Sequence, residues 1–297
     1  MKINKQIIEN GREKRSYGYL NLKVFYLLVV VAAVSFTACN NNDVFGGDDK
    51  VLTLASQTNA VQTRSTLSNM WSGGEQVQVS INDAAAVIFT AASNGTLVPV
   101  SPIYWYSATQ TISARAWHPA SWAFPVDQSN GLQAADFIFA PTVSGITFRN
   151  ANNTPLTFYR RTAKVTVNLI AGTGINNLAD ATVAFYGYTA GAPNTSDAGN
   201  GTITGFGSGW ITPHNAGGNT YAALLIPRDM TGVRFVRITL NGLNFFYTPA
   251  PGDANLQQSY SYTYNITVHK DRLEVTVVGS GVDWNAGNNY TVEGKQV

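Results

Sequence analysis

An apolar run that ends at the only cysteine of the chain decides which residues can enter the fold. Residues 24–38 precede Cys39, and Thr37 and Ala38 place small side chains directly before it. The run has the length of a secretory signal, about 7–15 apolar residues, and is shorter than the ~20 residues of a membrane-spanning helix. We therefore expect residues 1–38 to be a lipoprotein signal peptide and Cys39 to carry the lipid.

Two other interpretations of this segment stay open. It could be a plain secretory signal with an incidental cysteine, or a transmembrane anchor, and Phe36 stands where a lipobox more often has leucine. The basic residues near the start of the chain favour a cytoplasmic N-terminus in each case. Residues 39–50 are polar, acidic and glycine-bearing, which predicts a flexible tether between Cys39 and the folded part.

Charge and cysteine content exclude several classes of function. The chain has 19 Lys and Arg and 17 Asp and Glu, but six of the basic and two of the acidic residues precede Cys39. The part after the signal therefore has a net charge of about −2. This balance argues against a nucleic-acid partner, because such proteins present basic surfaces. No cysteine follows Cys39, so neither a disulfide nor a thiolate metal site can form there.

The apolar pattern after the signal predicts an all-β protein. Residues 163–169 place Val165 and Val167 in alternation with polar residues, which is the period of a half-buried strand. Asn241 and Gly242, between two such segments, are typical of a hairpin turn. No segment shows a sustained helical period, and turn signals recur every ~8–12 residues, as in β-sandwiches.

We expect two antiparallel β-sandwich domains, an N-terminal one at residues 51–150 and a C-terminal one at residues 151–297. The boundary is placed within residues 141–155, which are rich in Gly, Asn and Pro. The first strand of the N-terminal domain is predicted at residues 51–56, where apolar residues alternate with small or polar ones.

The residue types that carry catalysis or bind metals do not form a recognisable group. His118, His214 and His269 have no second histidine or glutamate at zinc-site spacing. No Gly-x-Ser-x-Gly motif is present, and nothing groups the carboxylates as a glycosidase requires. We therefore expect no enzyme activity, no metal and no cofactor. Aromatic side chains could stack on sugars, although in strands they more often lie in the core. The candidates are Trp105, Trp117, Trp122 and Trp210.

Several short motifs follow one another along almost the whole chain after the signal. They are Cys39, a first strand at residues 51–56, Thr63-Arg64, a predicted turn at Trp71-Ser72-Gly73-Gly74-Glu75, the strand Ala163-Lys164-Val165-Thr166-Val167, the pattern Tyr-x-Tyr-x-Ile-x-Val-x-Lys-x-x-Leu-x-Val at residues 262–275, and Trp284. In this order they resemble the fimbrillin family, the subunits of type V pili.

The resemblance implies a lipoprotein of two β-sandwich domains with transthyretin-like topology, displayed on the outer membrane as part of a fimbrium. In such subunits an arginine-specific protease cuts the loop after the first strand, and a strand of the next subunit fills the groove that is left. Arg64 is the matching cleavage site here, with an ordinary surface arginine as the alternative interpretation. Arg160 and Arg161 form a competing basic pair, which we expect the adjacent strand to shield.

The C-terminal segment is the candidate donor strand, because it is terminal, flanked by polar residues and expected to be free to move. The residues that could fill pockets of a neighbouring subunit are Val282, Trp284, Tyr290 and Val292.

These observations predict a structural subunit or accessory component of type V fimbriae that contributes to adhesion. Its expected partners are other fimbrial subunits, the outer membrane through the lipid, an arginine-specific protease, and a host or bacterial surface ligand. The alternative is a surface lipoprotein that remains a monomer and binds glycans or host ligands. A secreted hydrolase on a β-sandwich is the third interpretation.

Overall fold

The computed structural model describes residues 50–58, 71–282 and 289–296, and their regular structure consists of β-strands apart from short 3₁₀ turns such as Gln133–Ala135. This confirms the predicted all-β class. Within these residues no helix is long and apolar enough to cross a membrane. The alternation seen in the sequence at residues 163–169 is realised as a strand, with Val165 and Val167 buried and Lys164 and Thr166 half-buried.

The first seven strands form a closed barrel in the order β1-β4-β3-β2-β5-β6-β7. Their bounds are β1 Leu54–Thr58, β2 Glu75–Ile81, β3 Val87–Ala91, β4 Thr96–Pro99, β5 Thr111–His118, β6 Ile138–Thr147 and β7 Leu156–Arg160. The ring closes at β1, which pairs antiparallel with β4 and parallel with β7. Closure leaves no strand of the ring with an unpaired edge.

The remaining strands form a small two-stranded sheet and a large sheet. Their bounds are β8 Ala163–Ala171, β9 Thr182–Gly187, β10 Ala190–Pro193, β11 Ile203–Phe206, β12 Gly209–Ile211, β13 His214–Gly217, β14 Thr220–Leu225, β15 Val236–Leu240, β16 Leu243–Tyr247, β17 Tyr260–Val268, β18 Arg272–Val282 and β19 Asn289–Gln296. Strands β10 and β11 pair with each other, and the large sheet has the order β12-β9-β15-β16-β19-β18-β17-β8-β14-β13. Its ladders are antiparallel except that between β8 and β17.

The large sheet bends around its own apolar core. Tyr264 of β17 contacts Tyr247 of β16 with ring centroids 5.6 Å apart, although β18 and β19 separate these two strands in the sheet. Phe235, just before β15, lies 5.9 Å from Tyr264 and 6.0 Å from Phe185 of β9. The two halves of the sheet therefore face each other across one core, as the layers of a β-sandwich do.

The change from the barrel to the large sheet falls at Arg161 and Thr162, between β7 and β8. The sequence placed a boundary within residues 141–155, but the first part of that stretch belongs to β6. Strand β7 then returns to the barrel because Leu156 and Phe158 are buried there. The division into two separately folding domains stays a prediction.

The connection from β5 to β6 ties the barrel to the large sheet. The buried side chain of Gln128 donates from Nε2 to the carbonyl of Leu224 at 2.8 Å and accepts from the Leu224 amide at 2.9 Å. Gln128 thus pairs with the backbone of β14 as a strand residue would. Phe124 and Leu132, on the same connection, join the core of the large sheet.

Replacing Gln128 should therefore destabilise the protein. In Gln128→Ala the amide and carbonyl of Leu224 lose their partner in a buried place, which costs about 1–3 kcal/mol of the free energy of unfolding. Urea unfolding followed by tryptophan fluorescence measures this loss. Gln133→Ala, an exposed position on the same connection, serves as the control and should change stability by no more than about 0.5 kcal/mol. Equal stability of the two variants would contradict the role given to Gln128.

Candidate functional site: the seat of the first strand

The first strand and the residues before it are hydrogen-bonded along their whole described length. The predicted strand at residues 51–56 is present but lies slightly later, as Leu54–Thr58, with Val51 in an isolated bridge to Tyr104. Backbone bonds outside the ladders are Trp105 N–H to Lys50 O at 3.0 Å, Leu52 N–H to Ile103 O at 2.7 Å, Ala55 N–H to Ala151 O at 3.1 Å and Ser56 N–H to Gly95 O at 2.8 Å.

Two leucines anchor this segment in the barrel core. Leu52 and Leu54 are both almost completely buried, and Leu54 lies opposite Leu97 of β4. Burial of a leucine side chain contributes roughly 1.5–3 kcal/mol. Because β1 pairs on both sides, its removal would expose two strand edges, those of β4 and β7, together with the pockets of Leu52 and Leu54.

Trp71 links β1 to the part of the chain that follows residues 59–70. Its Nε1 donates to the hydroxyl of Ser56 at 2.9 Å, and that hydroxyl donates to the carbonyl of Gly95 at 2.7 Å. The buried indole also packs edge-on against Phe158 of β7 at 5.4 Å and against His118 at 5.5 Å between centroids. Trp71 therefore contacts β1 directly, although residues 59–70 separate them in the chain.

A tight turn positions Trp71. The carboxylate of Glu75 accepts from the amides of Ser72 at 2.6 Å and Gly73 at 2.8 Å. Burial raises the pKa of Glu75, but hydrogen bonds from backbone amides and the nearby His118 outweigh it and hold the pKa below its ordinary value. Gly73 and Gly74 both have φ near +98°, a conformation that favours glycine, which explains the doubled glycine in this motif.

The other predicted site residues divide into three groups. Cys39, Arg64 and Trp284 lie outside the residues that the structure describes. Arg160 and Arg161 are buried, which confirms that this basic pair is shielded. Arg160 donates to the carboxylate of Asp136 at 3.2 Å, and Arg161 donates to Asn200 at 3.2 Å with its guanidinium 5.5 Å from the Phe139 ring.

The candidate donor strand, the third group, lies within the chain's own large sheet. Strand β19 pairs with β18, where Val292 is opposite Val275 and Tyr290 opposite Val277, and its end pairs with β16. Val282 ends β18 opposite Tyr260. Residues 289–296 are thus not the free tail that the sequence suggested, because β16 and β18 each leave an edge that β19 pairs with.

A polar cleft of about 930 Å³ opens beside the connection from β5 to β6. His118 and His214 line it together with Asp127, Asn130 and Gln133. Nδ1 of His118 lies 2.8 Å from the carbonyl of Gln76, and Nδ1 of His214 lies 2.9 Å from that of Ser129. Nδ1 of each imidazole is therefore within hydrogen-bond distance of a backbone carbonyl. The described part of the chain contains no group of three His, Cys, Asp or Glu side chains that could bind a metal.

The structure does not bring the four candidate tryptophans together as a platform. Trp105 is buried in the barrel, whereas Trp117 and Trp122 pack against Phe139 and Phe137 at the core of the large sheet. Trp210 lies on β12, where the guanidinium of Arg237 sits 4.6 Å from its ring.

Comparison with protein families decides the identity of this fold. The family model described as fimbrillin-like matches residues 38–293. The chain belongs to the fimbrillin-like family. Its members are fimbrial proteins, so this chain has a fimbrial role at the cell surface.

Solved structures share the fold of this fimbrillin-like chain. A candidate cell adhesion protein from Bacteroides uniformis ATCC 8492 has a TM-score of 0.62 at 18% identity, and covers 81% of this chain and 100% of its own. A second, from Bacteroides ovatus ATCC 8483, has a TM-score of 0.58 at 15% identity, with 80% and 99% covered. None of the curated proteins matches the sequence.

Sequence reasoning found the first strand and the tryptophan turn of this fimbrillin-like protein but missed what joins them. The Ser56–Trp71 hydrogen bond and its extension to Gly95 depend on a turn between β3 and β4. The Ser-Asn-Gly signal of that turn is visible in the sequence. Its distance along the chain from Ser56 gives no hint that the two meet.

Gly95 offers a test of how β1 is held. Its φ is +86°, and a Cβ there would lie 2.5 Å from the carbonyl oxygen of Ser56. Gly95→Ala should therefore push β1 outward, and the amide of Ser56 should exchange its hydrogen at least about tenfold faster. Hydrogen exchange read by mass spectrometry measures this.

Gly252→Ala is the matched control, because Gly252 has φ near +92° but nothing within 4 Å of its Cβ position. Both variants carry the conformational cost of a positive φ, about 1–2 kcal/mol. Only Gly95→Ala should loosen β1. Unchanged exchange at β1 in Gly95→Ala would show that this contact does not hold the strand.

Proposed function

We propose that this chain is a lipid-anchored subunit or accessory component of type V fimbriae that matures by exchange of its first strand. The observation that carries the proposal is the position of β1. It is the strand that closes the barrel, it follows the proposed lipid attachment at Cys39, and it directly precedes the segment 59–70 that contains Arg64.

One cut after Arg64 would have two consequences at once. The segment 39–64 carries both the lipid and β1, so its release would free the subunit from the membrane and open the barrel between β4 and β7. The lost burial of Leu52 and Leu54, roughly 1.5–3 kcal/mol each, is large compared with a total stability of about 5–15 kcal/mol. The opened barrel therefore needs another strand to restore its stability.

The groove that β1 would leave between β4 and β7 could bind an extended strand of a neighbouring subunit. The edges of β4 and β7 would offer unpaired amides and carbonyls, and such edges bind an added strand through main-chain hydrogen bonds. The pockets lie two residues apart, at the positions of Leu52 and Leu54. Tyr290 and Val292 in β19 have the same spacing, which supports the C-terminal strand as donor.

Donation by β19 would require it to leave its own sheet. Strand β19 pairs with both β16 and β18, so its departure opens a second gap in the subunit that donates it. The exchange then becomes favourable only when the new pairing in the neighbouring barrel replaces the lost one. This requirement would couple release of β19 to the presence of an opened neighbour.

The shielding of the competing basic pair, Arg160 and Arg161, supports Arg64 as the cut site. Arg160 and Arg161 are buried, so an arginine-specific protease cannot bind them in extended form. Arg149 is exposed in the turn after β6 and provides a natural control.

Arg64→Ala should stay lipidated and monomeric in cells that produce their arginine-specific protease, because β1 then remains in its seat. Arg149→Ala should polymerise like the parent protein. Deletion of residues 289–297 should permit cleavage but block chain growth. Immunoblotting of mildly heated cell-surface extracts reads the polymer as a ladder. Normal polymerisation of Arg64→Ala would contradict maturation at this site.

The second candidate function is a monomeric surface lipoprotein that binds glycans or host ligands. The polar cleft beside His118 and His214 favours it, because its amide, carboxylate and imidazole groups suit hydroxyl-rich ligands. If this function is correct, an oligosaccharide array should give binding that Asn130→Ala weakens about tenfold while the exposed Asn244→Ala does not. A monomer that binds no saccharide would contradict it.

A further inference from the structure

One end of the barrel exposes apolar and aromatic side chains together. In the loop between β4 and β5, Tyr106 is 88% exposed and Tyr104 is 50% exposed, on either side of the buried Trp105. Val100 is 60% exposed, and its amide donates to the carbonyl of Ile88, which is also exposed. We call Ile88, Val98, Val100, Tyr104 and Tyr106 the tyrosine face.

The geometry of β3 and β4 explains why the tyrosine face exists. Phe89 lies opposite Pro99 in the ladder, and both are buried in the barrel. Successive residues of a strand point to opposite sides, so Ile88 and Val100 must point outward. Single exposed apolar residues are ordinary, but a group on one surface indicates a place of contact.

The tyrosine face is also free of charge. Residues 84–114 contain no Asp, Glu, Lys, Arg or His. Lys50 bonds through its carbonyl to the amide of Trp105, and Arg149 follows Phe148, whose ring lies 6.3 Å from that of Trp105. The exposed carboxylate of Asp83 lies in the turn before β3 and pairs with Arg115. Tyrosines together with uncharged apolar side chains suit the headgroup region of a membrane.

The path of the chain brings this face to the anchor. Val51 is bridged to Tyr104, so the chain enters the barrel directly beside the exposed tyrosines. Cys39 lies eleven positions before Lys50, a stretch that reaches at most about 40 Å when fully extended. A lipid on Cys39 would therefore attach the bilayer to the end of the barrel that carries the tyrosine face.

We propose that the tyrosine face rests on the phospholipid headgroups of the membrane that holds the lipid anchor, and so forms a second, reversible attachment of the uncleaved protein. The proposal rests on the lipid anchor of the proposed function. It assigns a partner to exposed side chains beside the segment that pairs with residues 50–52. A cut at Arg64 would remove the acyl chains together with Val51, the bridge partner of Tyr104, so the remaining face would hold the subunit only weakly and permit its departure into the polymer.

The test separates the tyrosine face from the acyl chains. The mature chain with Cys39→Ser lacks the lipid, and its co-sedimentation with vesicles of phosphatidylethanolamine and phosphatidylglycerol reports the face alone. We expect measurable binding that falls at least threefold when Tyr104→Ser and Tyr106→Ser are added. The control pair is Phe206→Ser with Leu243→Ser, at positions 53% and 47% exposed on β11 and β16, and it should leave binding unchanged.

A second measurement uses the lipidated protein, so that it does not depend on the weak affinity of the tyrosine face for vesicles. The Tyr106→Trp variant of the lipidated protein, reconstituted in vesicles that contain brominated phosphatidylcholine, should lose fluorescence by contact quenching, whereas the Phe206→Trp variant should not. Absence of vesicle binding by the Cys39→Ser chain, together with absence of quenching in the Tyr106→Trp variant, would overturn the proposal. A dimer that the two serine substitutions abolish, without vesicle binding, would instead assign the face to a second copy of the chain and also overturn it.

Failure of the membrane contact proposed here can be distinguished from failure of the lipid anchor. Mass spectrometry of the parent protein shows whether Cys39 is acylated, and an unmodified cysteine would refute the anchor in the proposed function. Vesicle binding by the Cys39→Ser chain measures the affinity of the tyrosine face for lipid, whether or not the parent protein is acylated.

Discussion

The backbone pairing of one short strand on both of its sides is the interaction on which the barrel depends. Strand β1 joins β4 to β7, and without it the ring is an open sheet with two free edges. Leu54 of β1 and Leu52 just before it are buried in the core. The hydroxyl of Ser56 accepts a hydrogen bond from the indole of Trp71. Strand pairing, apolar burial and the side-chain hydrogen bond to Trp71 are thus concentrated in a few neighbouring residues.

The other end of the described chain has a comparable position. Strand β19 lies between β16 and β18 and completes a sheet that bends around its core. Both ends are therefore interior strands, held by ladders on two sides, and neither is a loose tail.

Buried charges mark the passage from the barrel to the large sheet. The carboxyl of Asp136 lies against Arg160 at the end of β7, and burial raises the pKa of Asp136 despite the opposing charges of Arg160 and His118. Pairing offsets part of the cost of removing these charges from water, and breaking the pair would leave an uncompensated charge. Arg161 packs on Phe139 and bonds to Asn200, so the junction is a packed core and not an open linker. The same packing leaves both arginine side chains buried.

The sequence by itself determined the properties that are local. The alternation around Val165 and Val167 predicted strand β8, Asn241 and Gly242 predicted the turn between β15 and β16, and the Trp71 to Glu75 motif predicted the turn whose glycines need positive φ. A period of two residues and a turn preference are readable from neighbours in the chain, so the all-β class followed from them.

Only the tertiary structure decided which strands meet. The sequence could not show that β1 closes a barrel against β7, that β7 belongs to the barrel beyond the glycine-rich stretch at residues 141–155, or that β19 lies inside the large sheet. Strand pairing joins backbone groups that are nearly identical in every residue and lie far apart in the chain. Its choice therefore depends on the shared burial of many side chains at once, as with Leu54 opposite Leu97, and no local pattern contains that information.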